Sequence, residues 1–369
     1  MNSSDRGEGR GFQRVGWWLI VIAVAIYVIF YALKAPLTKS PERGYVDMHV
    51  HAAGLGYGNS GAFVGEDLSA SWKFNIYLRA FDITQDELQT NGDRELLRKL
   101  SEKIADSEFV DQAVVLAMDG VIDEFGTLNR ELTQFYVPNE YLIRELKNYP
   151  NLRFGASINP LRTDSVERLN YVVENGAQLI KFLPNIMLFD PGDERIEPFY
   201  RRMAELCIPL LTHAGAEQSF GEADNSLGDP VRLQLPLSLG VTVIAAHIAT
   251  TGSTDGDGHF DRLLRMFQDY PNLYADVSSL TQINKLGYLR RALQVESLAE
   301  RLVYGTDWPL QFFPLVSPYY LLDSLSLKQA NATRALDNVW DRDVVSKKYA
   351  GVPEAVFLRF PTLMDDCTK

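Results

Sequence analysis

Cysteine is nearly absent from this chain. The 369 residues contain only Cys207 and Cys367, without CxxC spacing or the density of a disulfide scaffold, so a fold built on disulfides is excluded and both read as thiols, Cys207 in the core and Cys367 in the tail. Positive charge is also in deficit. Thirty-six Lys+Arg stand against 48 Asp+Glu for a net charge of -12, which removes the cationic surface that nucleic acid binding draws on. No GxGxxG follows an apolar run and no GxxxxGK[ST] occurs, so nucleotide-binding α/β folds lose their main support. Compositional bias is missing as well: at 46% hydrophobic and 23% charged residues, the chain is neither disordered nor collagen-like nor a coiled coil.

One long apolar run is present. Residues 15–33, VGWWLIVIAVAIYVIFYAL, carry no charge, with Trp17 and Trp18 at one end, Tyr31 near the other, and Arg14 and Lys34 as brackets. At about 1.5 Å per helical residue such a run nearly crosses a hydrocarbon core of roughly 30 Å. The expected layout is therefore a tail (1–14), an uncleaved transmembrane anchor (15–34), a linker (35–44) with Pro36 and Pro41, and a barrel domain (45–369). Arg6, Arg10 and Arg14 balance Lys34, Lys39 and Arg43 under the positive-inside count. The expected location is a single-pass membrane protein with its body outside the cytoplasm.

Beyond residue 44, short β-rich apolar runs alternate with amphipathic stretches, the pattern of repeated βα units. The runs are 45–50, 112–117, 153–158, 178–182, 209–212, 242–246, 273–277 and 302–304; helical spacing appears between them, as in 140–147 and 199–206. Eight units predict an α/β fold of the (β/α)8 TIM barrel type. The Gly-rich stretch 54–65 reads as a connector, or functionally as a lid. The long insertion around it offers Trp72, Tyr77 and Arg79 as substrate contacts.

Four of the five histidines follow predicted strands: His49 and His51 after the first, His213 after the fifth, His247 after the sixth; His259 lies in a polar loop and reads as solvated. Asp307 follows the eighth strand in YGTDWP. Side chains two apart on a strand share a face, so Asp47, His49 and His51 are expected to project together into the barrel. Imidazoles and a carboxylate converging at one mouth are costly to bury without purpose, and they are what a divalent metal binds.

With these residues in hand, the chain resembles the amidohydrolase superfamily, and within it the amidohydrolase-related family that includes aminocarboxymuconate-semialdehyde decarboxylase, resorcylate-type decarboxylases and lactone and amide hydrolases. The carriers are Asp47-Met48-His49-Val50-His51, LIKFLP around Lys181, LTHAG around His213, AAHIA around His247 and YGTDWP around Asp307, in the family's order. The resemblance implies that His49, His51, His213 and Asp307 hold one divalent metal, zinc first, with manganese, iron or cobalt as alternatives. It implies His247 and Asp307 as catalytic groups, and leaves Lys181 as a carbamylated bridge between two metals or, in the mononuclear pattern expected here, a substrate contact. Arg162 and Glu217 join Lys181 as expected substrate-binding residues, and Asp276 is a further candidate for the pocket. The expected function is hydrolysis of an amide, ester or lactone by a metal-activated water; non-oxidative decarboxylation of a small aromatic or enoic acid is the alternative, and a non-catalytic membrane-tethered ligand-binding barrel the second. The expected partners are a small-molecule substrate, the membrane through the N-terminal helix, and a second copy in a homodimer.

Overall fold

A computed structural model describes residues 18, 20–25 and 44–364. Among them one sheet has eight parallel strands in sequential order, each overlapping one predicted run: β1 (Tyr45–His51), β2 (Val110–Leu116), β3 (Leu152–Ser157), β4 (Ile180–Phe182), β5 (Leu210–His213), β6 (Val243–Ala246), β7 (Leu273–Asp276) and β8 (Leu302–Val303). Irregular bonds bring β8 back to β1: Met48 N donates to Tyr304 O (3.3 Å), Asp307 N to His49 O (2.9 Å) and His51 N to Trp308 O (2.9 Å). Gly305 is needed at this seam, because a Cβ there would lie 2.8 Å from that of His49.

Two hydrophobic layers show which way each strand faces. The smaller one fills the barrel interior with Val46, Met48, Leu116, Leu179, Leu211 and Ile244, and Phe360 and Leu363 from the C-terminal segment pack into it. The larger lies between strands and helices and takes Val50, Ile180, Phe182, Leu210, Val243 and Ala275. By alternation, Lys181, His213 and Asp276 therefore point inward.

Strand β1 departs from simple alternation. Val46 and Met48 face the interior but Val50 faces the helices, and the pairing with β2 shifts register between Asp47 and Val50. An irregularity of one residue flips the face of everything beyond it. Asp47 is thereby separated from His49 and His51: its carboxylate accepts bonds from Thr306 N (3.0 Å), Thr306 Oγ1 (2.5 Å) and Trp340 Nε1 (2.7 Å). Trp340 sits on the outer helix Val339–Tyr349, so the expectation that Asp47 shares the mouth is corrected to a role joining β1, β8 and that helix.

The expected membrane anchor is corrected too. Among the described residues no helix is long and apolar enough to cross a membrane. Of residues 15–34, only Trp18 and 20–25 are described, as exposed helix. The rest of that span, the tail and the linker up to residue 43 lie outside the described residues. The single-pass location rested on that helix and falls with it. Cys207 is disulfide-bonded, not a free thiol, and Cys367 lies outside the described residues. His259 is buried at the start of the helix His259–Asp269, with Nε2 2.9 Å from Thr254 Oγ1, not solvated.

Between β1 and β2 the insertion forms helices Glu66–Ala70, Trp72–Ala80, Gln85–Asn91 and Arg94–Ala105. Its Gly-rich stretch is pinned: Asp93 accepts Gly56 N (2.9 Å) and the Ser60 hydroxyl. These helices roof one side of the barrel's C-terminal mouth.

Candidate metal centre

The inward registers of β1, β4, β5 and β7 deliver His49, His51, Lys181, His213 and Asp276. The other two groups need a backbone device. His247 follows Ala246, an interior residue, so plain alternation would turn it outward; its φ of 56° instead starts three consecutive left-handed residues with Ile248 and Ala249. Asp307 is also left-handed, at φ 64°. Non-glycine residues pay about 1–3 kcal/mol each for such conformations and keep them where surrounding contacts enforce them. Here Asp276 Oδ1 accepts the His247 backbone N–H at 2.7 Å, and Asp307 N–H is bonded to β1.

Around Asp307 the donors crowd together. Its Oδ1 lies 3.4 Å from His49 Nε2 and 3.2 Å from His51 Nε2, and its Oδ2 lies 3.8 Å from His247 Nε2. Ser279 Oγ donates to Oδ2 at 2.6 Å and itself accepts Gln282 Nε2 at 3.0 Å. His49 Nδ1 donates to Asp276 Oδ2 (2.7 Å), which turns its Nε2 toward Asp307, and Lys181 Nζ stands 3.1 Å from that Nε2. A carboxylate behind a ligand imidazole is the arrangement that fixes tautomer and ring orientation in metal sites. His213 stacks edge-on against His247 at 5.4 Å, and its Nε2 is buried without a hydrogen-bond partner.

Electrostatics prepares these groups to bind a cation. Burial, with the Lys181 charge, pushes His49 down to about 4, and burial likewise brings His213 to about 4. His247 is driven well below its ordinary value by burial and then by Lys285. The imidazoles are therefore neutral, with lone pairs available. Burial works against ionising Asp307 and Asp276, but the facing histidines hold both carboxyls below their usual range. Neutral imidazoles, an ionised carboxylate and an orphaned buried nitrogen together fit a divalent metal.

His49, His51, Lys181, His213, His247 and Asp307 open into one cavity of about 160 Å³ whose upper wall is apolar, with Leu55, Phe74, Tyr77, Leu78 and Phe135, while Asp276 stays behind it. Glu217 lines it as well, with Oε2 3.7 Å from His213 Nδ1. Arg162 does not: its guanidinium makes a two-pronged pair with Asp119 (2.6 and 2.7 Å), and Asp119 also accepts Asn159 N, so the pair clamps the loops after β2 and β3. Tyr77 lines the cavity, whereas Trp72 projects into solvent. Sequence reasoning passed over Ser278, Ser279 and Lys285. The two serines directly follow the Asp276 strand end and were within reach of a strand-end search; Lys285 stands in a loop with no motif around it.

The sequence profile described as Amidohydrolase matches residues 46–315. No curated protein matches the chain. Similar solved folds include an uncharacterised TIM-barrel protein from Bordetella bronchiseptica, at TM-score 0.50 and 16% identity over 82% of this chain and 99% of its own. A putative 2-pyrone-4,6-dicarboxylic acid hydrolase from Pseudomonas putida follows, at 0.48 and 15% over 87% and 99%. A 2,6-dihydroxybenzoate decarboxylase from Rhizobium stands at 0.45 and 14% over 87% and 100%. At such identities the likeness concerns the fold.

Proposed function

The chain belongs to the amidohydrolase family and is a metal-dependent hydrolase, and from this premise we propose that one divalent cation, zinc first, is held by His49, His51, His213 and Asp307 for cleavage of an ester, lactone or amide. The observation that carries the reading is the crowding of His49, His51 and the Asp307 carboxylate at one point of the barrel mouth, two imidazole nitrogens standing within 3.4 Å of one Asp307 oxygen, with the partnerless Nε2 of His213 lining the same cavity. When bound there, a divalent cation would supply Lewis acidity, making water acidic enough to act as a nucleophile near neutral pH and polarising a carbonyl.

The remaining steps belong to the side chains. Ser278 Oγ donates to Asp276 Oδ1, so the proton shared between His247 Nδ1 and Ser278 (2.7 Å to Oγ, 3.3 Å to the carbonyl) is assigned to the imidazole. That leaves His247 Nε2 as an acceptor facing the cavity. It takes the proton from the attacking water and returns it to the departing oxygen or nitrogen. Asp307, 3.8 Å away and held by Ser279, stabilises the imidazolium that forms between these two steps. Lys181 contributes positive charge where negative charge builds on the carbonyl oxygen.

Elemental analysis of purified protein, then a panel of aryl esters, lactones, amides and aromatic or enoic acids before and after chelation, tests the reading. Metal near one ion per chain and chelator-sensitive hydrolysis are expected. Carbon dioxide release from an acid in place of hydrolysis would move the chain to the decarboxylase reading, and metal-free protein with full activity would end both.

A further inference from the structure

Among the described residues three cations are buried outside the histidine cluster, and two are neutralised. Arg162 is paired with Asp119, and Lys347 with Asp343 (2.6 Å) and the Gly305 carbonyl (2.9 Å). Lys285 is different. It is 6% exposed and lines the active cavity, yet among the described residues its ammonium makes no hydrogen bond and no ion pair. The charges of Asp307, Glu217 and Asp276 reach it, but none approaches to ion-pair distance. Its ammonium is not sealed in protein but reaches the cavity, and a cation presented there without a partner of its own is placed to meet an anionic group on a ligand.

The loop that carries Lys285 is held firmly. Lys285 ends the short helical turn Ile283–Lys285, Ile283 N donates to Leu315 O (2.9 Å), and Gln282 Nε2 bonds both Ser279 Oγ (3.0 Å) and Leu310 O (3.2 Å). Ser279 is the residue that holds Asp307. The turn that carries the ammonium is thus held beside Asp307, while the wall beyond it is apolar.

We propose that Lys285 is the counter-ion for a carboxylate on the substrate, whose remaining body is apolar and lies against Leu55, Phe74 and Leu78. The substrate class is then an apolar carboxylic acid bearing the scissile ester, lactone or amide. This rests on the hydrolase reading for the bond that is cleaved, but not for the binding of the acid.

The test separates the two. Binding of 4-phenylbutyrate and of neutral 4-phenylbutyramide to metal-loaded protein is measured by calorimetry for wild type, Lys285→Met and Lys285→Arg, with metal content and melting temperature recorded for each. Wild type should bind the acid and not the amide. Lys285→Met should weaken acid binding by on the order of 10²-fold, the scale of a hydrogen bond to a charged group, with metal retained, and Lys285→Arg should restore most of it. Acid binding unchanged in Lys285→Met but lost on metal removal would overturn the proposal, as would equal affinity for acid and amide. If Lys285→Met unfolds, the wild-type acid-to-amide ratio and Lys285→Arg still decide. Lysine-dependent acid binding without any hydrolysis would strike the hydrolase reading alone, and hydrolysis without it would strike this one alone.

Discussion

The floor and the wall of the cavity are built on opposite principles. On the floor several polar groups have a second residue behind them, from β7 or the loop that follows it: Asp276 behind His49 and the His247 backbone, Ser279 behind Asp307, Gln282 behind Ser279. The wall comes mostly from the insertion after β1, whose helix Trp72–Ala80 has no fully buried residue. That helix is fastened to the loop after β5 through Lys73 Nζ to Gln218 O (3.2 Å) and Ser219 O (3.1 Å) and through Tyr77 OH to Ser219 O (2.6 Å). Reaction chemistry tolerates errors of only about 0.5 Å, which explains the doubly supported floor. A wall of apolar contacts on loosely tied helices sets which substrates fit, and can vary without touching the reacting groups.

The comparison breaks first, and hardest, at His213 and His247. His213→Ala removes a proposed metal ligand and should strip most of the metal and essentially all activity, read by elemental analysis and turnover on the same sample. His247→Asn should keep its metal and fold and lose turnover by about 10²-fold or more, the scale of a positioned acid/base group. Equal metal loss in both would make His247 a ligand and erase the distinction between holding and reacting. A smaller effect is expected one step behind the floor. Asp276→Asn keeps the shape but loses the charge that fixes the His49 tautomer, and metal affinity should fall about 10–100-fold in competition with a chelator; an unchanged affinity would show that the backing residues are dispensable. The smallest effect belongs to the wall. Tyr77→Phe cuts the bond to Ser219 O, and KM should rise by roughly the few-fold that one hydrogen bond supports, with kcat held; a fall in kcat with KM constant would mean that the wall takes part in the chemistry.

Legibility differed between strand centres and strand ends. The eight apolar runs were readable because a strand buried on both faces needs uninterrupted apolar residues, and the hydrogen-bonded order follows from that count. His49, His51, Lys181, His213 and Asp307 all line the one cavity. Arg162 was drawn in by its place just after a strand end, yet its partner Asp119 lies 43 residues earlier, and no local pattern announces the pair. Asp47 was misplaced because alternation was extended through a point where the pairing slips. The N-terminal run was read from hydropathy alone, and among the described residues no helix is long and apolar enough to cross a membrane.

What the sequence by itself determined is the kind and order of the groups: imidazoles, a lysine and a carboxylate attached to successive strands of one sheet, with ligand chemistry that follows from residue type. Only the tertiary structure decided which of them meet. The face presented by β1 turns on a slip against β2, the direction of His247 on a left-handed backbone held by Asp276, and the approach of β8 to β1 on the missing side chain of Gly305. Each of these is settled by a contact with a residue distant in sequence. A register or the sign of a dihedral costs only a few kcal/mol, so packing across the barrel, not local preference, selects it.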